Sequence, residues 1–161
     1  DEKGNAVSRV ALQELVEQSY AAFAAMDEEK AALVRTEQLL RILSNPVFYE
    51  LRGMTLYREQ QFLASLPARA TYALAGKELP LREEGVDEII YQGAIDLLAV
   101  GEQVRIIDYK YSSQGAEYLK KHYAPQMQLY RMAIAKSLKM DEKAVRCTIV
   151  NIKNGVQVDV E

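Results

Sequence analysis

Two β-rich runs constrain this chain more than anything else in it. Asp87 to Val100 and Gln103 to Tyr111 are dense in Ile, Val, Leu and Tyr, with only Gly101-Glu102 between them. That is the pattern of two strands joined by a short turn. A hairpin pins its own register, because the turn decides which residues meet. With the turn centred on Glu102, Asp96 falls opposite Asp108, and such same-face partners carry Cβ atoms about 4.5–5.5 Å apart. Lys110, two residues beyond Asp108, projects from that face about 7 Å along the strand.

Both acids keep apolar company, in Ala94-Ile95-Asp96-Leu97-Leu98 and Ile106-Ile107-Asp108-Tyr109. Like charges facing each other on half-buried strands are destabilising, so something must compensate. A divalent cation between them would do so, with oxygen ligands at about 2.0–2.1 Å if it is magnesium. Lys110 would contribute as well. The plainer alternatives are a register slip that turns one Asp to solvent, or a simple Asp–Lys pair at a sheet edge.

The rest of the chain frames this hairpin. Residues 6–25 carry Val10, Leu12, Leu15, Val16, Tyr20 and Phe23 near helical spacing. Met26 to Arg41 predicts one or two more helices, with Asp27 as an N-cap, and Asn45-Pro46 interrupts the pattern. Thr55 to Leu66 predicts a strand. Residues 67–86 are punctuated by Gly76, Pro80 and Gly85, with a short strand expected at 69–74. Tyr123 to Lys139 predicts a helix with Met127, Tyr130, Ile134 and Leu138 on one stripe. Val145 to Ile152 and Val156 to Val160 predict a last hairpin around Asn154-Gly155, a strong turn dipeptide. Helices, strands, helix, strands in that order predict a mixed α/β domain around one sheet. At 161 residues the chain is expected to be a single domain, residues 1–45 a helical lead-in and 54–161 the α/β core. It opens on Asp1 without a signal peptide, as a processed chain or an excised piece would.

Composition excludes several chemistries. Cys147 is the only cysteine and His122 the only histidine. There is thus no internal disulfide, thiolate zinc site or iron–sulfur cluster held by this chain, and a Ser-His-Asp triad would have to use His122. Any metal must be held by carboxylates, which favours magnesium, manganese or calcium. A reduced, cytoplasmic setting is expected. No apolar run reaches the roughly 18 residues a membrane span needs. The net charge is −3, mildly against a stand-alone nucleic-acid binder. Yet residues 105–143 carry a local surplus of basic side chains, Arg105, Lys110, Lys120, Lys121, Arg131, Lys136, Lys139 and Lys143 against four acids. That stretch is either a phosphate-binding face or a solvated helix surface.

Gln126 and Tyr130 stand four apart and share a helix face. An amide on a core-facing stripe needs partners. Turned toward the acids, the pair would offer neutral donors to phosphate oxygens or to Lys110. His122-Tyr123 stands just before them. It either packs on the sheet or stacks on a nucleic-acid base. Cys147, on an apolar strand, reads as core.

Gly93-Ala94-Ile95-Asp96, then Asp108-Tyr109-Lys110, then Gln126-x-x-x-Tyr130 resembles the GxxD, DxK and QxxxY motifs of RecB-type nucleases in the PD-(D/E)XK superfamily. The stretches "IIYQGAIDLLAV", "VRIIDYKYSS" and "YAPQMQLYRMAI" are similar to the C-terminal nuclease domain of the AddA (RexA) helicase–nuclease subunits. "NPVFYELRGMTLYREQQF" is similar to the segment leading to that family's first acidic motif, with Glu59 in the matching place. The resemblance covers roughly residues 33–160. Two departures stand out. Tyr111 follows the lysine where the family often has Thr, and no histidine precedes His122, although the family usually carries a histidine-bearing helix upstream.

The resemblance implies a restriction-endonuclease-like mixed β-sheet flanked by helices, and a metal-dependent DNA exonuclease acting in double-strand-break repair. Asp96, Asp108, the backbone carbonyl of Tyr109 and Glu59 would hold Mg²⁺, with Mn²⁺ as a substitute. Lys110 would position the attacking water and stabilise charge at phosphorus. Gln126 and Tyr130 would hold the lysine and the DNA backbone. The implied partners are DNA, the remainder of a parent helicase polypeptide and a second nuclease subunit, with no membrane. The competing expectation is a non-catalytic nuclease-like module for DNA binding or subunit docking. A small-molecule α/β enzyme lacks the Gly-rich phosphate loop it would need.

Overall fold

The structure is a computed structural model and describes residues 9–78 and 87–161. Five strands form one sheet in the order β1-β2-β3-β4-β5: β1 Thr55–Pro67, β2 Glu88–Val100, β3 Val104–Lys110, β4 Val145–Asn151 and β5 Gln157–Val160. All neighbours are antiparallel except β3 and β4, which run parallel. A parallel pair needs a long crossover, and the helix α6 (Ala116–Leu138) supplies it. The expected hairpins are both present. The β2–β3 turn closes with the Gly101 N–H donating to the Gln103 carbonyl at 3.0 Å. At Asn154-Gly155 the glycine adopts φ +76°, and the Val156 N–H bonds the Asn154 side chain.

Helices cover both faces. Leu119, Met127, Tyr130, Ile134 and Ala135 of α6 pack against Ile95, Leu98, Ile106, Cys147 and Ile149. On the other face, Ile42 of α3 (Thr36–Leu43), Val47 of α4 (Pro46–Tyr49) and Leu51 pack against Leu97, Ala99, Ile107 and Val150. Ile95, Ile106, Ile107 and Ile149 are fully buried, each contributing about 1.5–3 kcal/mol of transfer free energy. Farther out, α1 (Arg9–Met26) meets α2 (Glu28–Ala31) and α3. Only Val16 of the α1 stripe is buried, while Val10 and Leu15 stay more than half exposed. No helix among the described residues is long and apolar enough to cross a membrane.

Two expectations are corrected. Residues 69–74 are not a strand but lie within α5, Ala68–Leu74. Alanine at 68, 70 and 73 favours the helix, and Thr71 Oγ1 donates to the Pro67 carbonyl at 3.0 Å. The remainder of that stretch, 79–86, lies outside the described residues. Helix α6 also begins at Ala116, seven residues before Tyr123, and carries Pro125 inside it. Proline is commonest in a first helical turn, so a start near 125 is what local pattern suggests. Packing of Leu119, fully buried, holds the extra turns. The capping expectation holds: the Asp27 carboxylate accepts from the Lys30 N–H at 3.0 Å. Asn45 caps α4 in the same way, accepting from Val47 with Pro46 at the first helical position.

Candidate active site

The acids come together through a local failure of the ladder. Rungs between β2 and β3 run from Val100↔Val104 to Leu97↔Ile107 and stop. One step further on this register, Asp96 faces Asp108, as the hairpin arithmetic predicts. Instead of a rung there, Asp96 Oδ2 accepts a hydrogen bond from the Tyr109 N–H at 2.7 Å. The two strands therefore part at this row, and a carboxylate fills the parting.

The row extends to a third strand. Between β1 and β2 every rung from Thr55↔Val100 to Pro67↔Glu88 forms except one, Glu59 against Asp96. Glu59 has φ +48°, inside the left-handed region that costs a residue with a Cβ about 1–2 kcal/mol. The strain has a structural consequence. On β1, Leu56 and Arg58 line a cleft with Leu43, Phe48 and Leu51, whereas Phe62, Ala64 and Leu66 lie on the α6 side. Side chains alternate along a strand, so even-numbered residues can change face only where alternation breaks. The break is Glu59. On β2 the same change falls between Leu97, on the α3–α4 face, and Ile95, on the α6 face, which is at Asp96. Both strands thus switch faces at one row, and the two acids sit at the switch.

Asp108 and Lys110 project on the α6 side, where Lys110 Nζ lies 2.5 Å from Asp108 Oδ2. Asp108 is 3% exposed. Its Oδ2 is in ion-pair contact but off the line of a hydrogen bond. Burial raises the Asp108 pKa above the usual aspartate range, Lys110 pulls it back, and Asp96 adds to the rise. Tyr109 points the other way and stacks on Phe48, ring centroids 6.4 Å apart. Burial and the Asp96 charge push its phenol up to about 12. Glu59 and Asp96 both line the cleft of about 600 Å³ on that side, together with Arg52, Arg58, Leu97 and Tyr109. Asp108 and Lys110 are therefore paired on the α6 side, while Asp96, adjacent at the parting, lines the opposite cleft rather than sharing the Asp108 face as the register alone predicts. Glu59 is adjacent in register but exposed and opens onto the opposite cleft.

The helix residues divide differently from expectation. Gln126 Nε2 donates to the Tyr130 hydroxyl at 2.8 Å, so each is the other's partner. The side chain of α6 found against the lysine is Tyr123, whose ring centroid lies 4.7 Å from Lys110 Nζ. Sequence reasoning did not place Tyr123 at the site. Its spacing of three before Gln126 and seven before Tyr130 carries the signal, because those offsets share one helix face. His122 stacks on Tyr118 at 5.3 Å and meets Tyr123 edge-on. Gly93 has a packing reason: an added Cβ would sit 2.8 Å from the Phe62 ring and 3.2 Å from Tyr130. Cys147 is core as expected, and burial raises its pKa to about 11.

The residues present fit a hard divalent cation. All candidate donors are oxygens, and the Asp108 carboxylate, though buried, has one oxygen with no directed hydrogen-bond donor and the Asp96 charge close enough to raise its pKa. Among the described residues no group of three or more His, Cys, Asp or Glu side chains is gathered tightly enough to hold a metal alone. A cation here would be held by Asp96 and Asp108 and completed by water or phosphate, the manner in which magnesium is usually bound.

A mixed sheet flanked by helices, with an Asp-x-Lys at the end of a central strand and a second acid across a parted hairpin, defines a restriction-endonuclease-like fold. The chain belongs to the PD-(D/E)XK nuclease superfamily, whose family model matches residues 3–161. No curated protein matches it.

Proposed function

We propose that this chain is the divalent-metal-dependent DNA nuclease domain of a helicase–nuclease of double-strand-break repair. It would work as an exonuclease with Mg²⁺ or Mn²⁺ beside a parent helicase polypeptide and a second nuclease subunit. Superfamily membership supports the nuclease, and the motif resemblance to AddA-type subunits supports the narrower assignment. The observation that carries the proposal is the Asp108–Lys110 contact set against Asp96 at the parting of β2 and β3.

A bound cation would supply Lewis-acid polarisation of a phosphoryl oxygen and a more acidic water. The chain's own groups do the rest. Asp96 and Asp108 present oxygens to the cation, with Glu59 one strand away as a further acid. Tyr109 directs its N–H, and with it its carbonyl, toward β2, where the rung is missing. Lys110 is held by Asp108 on one side and by the Tyr123 ring on the other. It offers its remaining donors to charge developing on the phosphate. The Gln126–Tyr130 pair keeps a polar face on α6 beside the DNA backbone. Because contacts of this kind go to phosphate, the domain should cleave with little base preference.

The test is degradation of linear DNA with Mg²⁺ by the parent polypeptide carrying Asp108→Asn. Loss of cleavage with ATP-dependent unwinding retained supports the proposal, and retained cleavage sinks it. The second reading, a non-catalytic module, is favoured by one observation, the exposed Glu59 on the opposite cleft. It predicts the same DNA affinity with no turnover in the unsubstituted protein.

A further inference from the structure

A second concentration of charge lies at the other end of the sheet. The parallel register of β3 and β4 sets Arg105 beside Arg146, on strands about 4.8 Å apart. Like charges placed abreast on one face are destabilising. Arg105 is 5% exposed and bonds Glu50 through Nη2. Arg146 is exposed and has no acidic partner among the described residues. Lys143, from the 3₁₀ turn Glu142–Ala144 that leads into β4, and Arg131, from α6, bring two more cations to the same hollow. Its volume is about 390 Å³, and it lies where β3 and β4 begin and β5 ends. Arg131 bonds the Val160 carbonyl through Nη2 and lies against the buried Cys147 thiol, whose pKa, raised by burial, the guanidinium charge pulls down. Two acids, Asp159 and Glu161, also line the hollow. Asp159 already accepts from Thr148 at 2.8 Å. With Arg105 paired to Glu50, three cations, Arg131, Lys143 and Arg146, stand against two acids, which leaves the hollow a small surplus of positive charge.

We propose that this hollow is a phosphate-binding site, distinct from the row of acids. Along β3 it begins at Arg105, three residues before Asp108, so the two sites are about 10 Å or more apart along the strand. Guanidinium groups match tetrahedral phosphate oxygens with paired N–H donors, and Lys143 adds a movable charge at the rim. A nucleotide phosphate and a DNA backbone phosphate share this chemistry.

The test is calorimetric titration of inorganic pyrophosphate, and separately of an eight-residue thymidine oligonucleotide, into the metal-free protein in EDTA. Wild type, Lys143→Ala/Arg146→Ala and Asp108→Asn are compared. Both residues of the double variant are exposed, so it should keep the fold. Saturable pyrophosphate binding is expected, weakened about tenfold or more in the double variant, as loss of charged hydrogen bonds implies, and unchanged in Asp108→Asn. If the oligonucleotide competes for the site and shows the same loss, the natural ligand is a DNA backbone; if pyrophosphate alone does, it is a small phosphate compound. Absence of saturable pyrophosphate binding, indifference to the double substitution, or loss on Asp108→Asn overturns the proposal. None of these outcomes depends on whether the acids cut DNA.

Discussion

The carboxylate of Asp96 takes the backbone N–H of Tyr109 at 2.7 Å, a donor that the hairpin register would otherwise set against Ile95. This one exchange opens the β2–β3 ladder and leaves the Asp108 carboxylate and the Lys110 ammonium beside the gap. Asp96 thus has two tasks, holding the parted backbone and presenting an oxygen to a cation, and they can be separated. Asp96→Asn keeps an amide oxygen for Tyr109 but loses the charge; Asp96→Ala loses both. Manganese titration followed by calorimetry should show weak binding by the wild type and a drop of at least about tenfold for either variant. Only Asp96→Ala should also lower the melting temperature, by the equivalent of about 1–3 kcal/mol for an orphaned buried donor.

Asp108 should make the metal-free protein sensitive to pH in a definite direction. Its folded pKa is raised above the unfolded value, chiefly by burial. The native state then holds this proton more tightly than the unfolded chain. Its contribution to stability is fully present below the usual aspartate range and is lost as pH rises through the raised value. Asp108→Asn removes that loss. In EDTA the variant should melt above the wild type at pH 7, and the gap should close as pH falls below about 3, where the wild-type carboxyl is protonated in both states. A gap that widens on acidification would contradict the assignment.

Gly93→Ala should destabilise the fold through one contact. The new Cβ would fall 2.8 Å from the Phe62 ring, and Phe62 is itself set edge-on against Tyr130 at 5.4 Å. Overpacking of this kind costs about 1–3 kcal/mol. Chemical denaturation should show that loss, and Phe62→Leu in the same chain should recover part of it.

Glu59→Gly should relieve the left-handed backbone at φ +48° and raise stability by up to about 1 kcal/mol. Glu59→Ala keeps the strain and should bring no such gain. If the Glu59 carboxylate serves the site, both variants should lose nuclease rate equally. A rate that falls only in Glu59→Gly would assign the role to the backbone bend rather than to the acid.

What the sequence by itself determined is what short range decides. The β2–β3 register up to Leu97 and Ile107, the placement of Lys110 beside Asp108 and the Asn154-Gly155 turn all follow from strand periodicity and the length of a connection. Tertiary structure decided the rest. That β3 and β4 run parallel, bringing Arg105 against Arg146, depends on where α6 returns the chain. That Tyr123 rather than Gln126 meets Lys110 depends on how α6 lies over the sheet. The face switch at Glu59 and Asp96 coincides with the point where α3–α4 begin to cover the second face of a ribbon that α6 packs on at both ends. A strand's own sequence carries its alternation, but which partner waits on each face is set by residues far away in the chain. Here the alternation breaks at the acids, where the second of those partners begins.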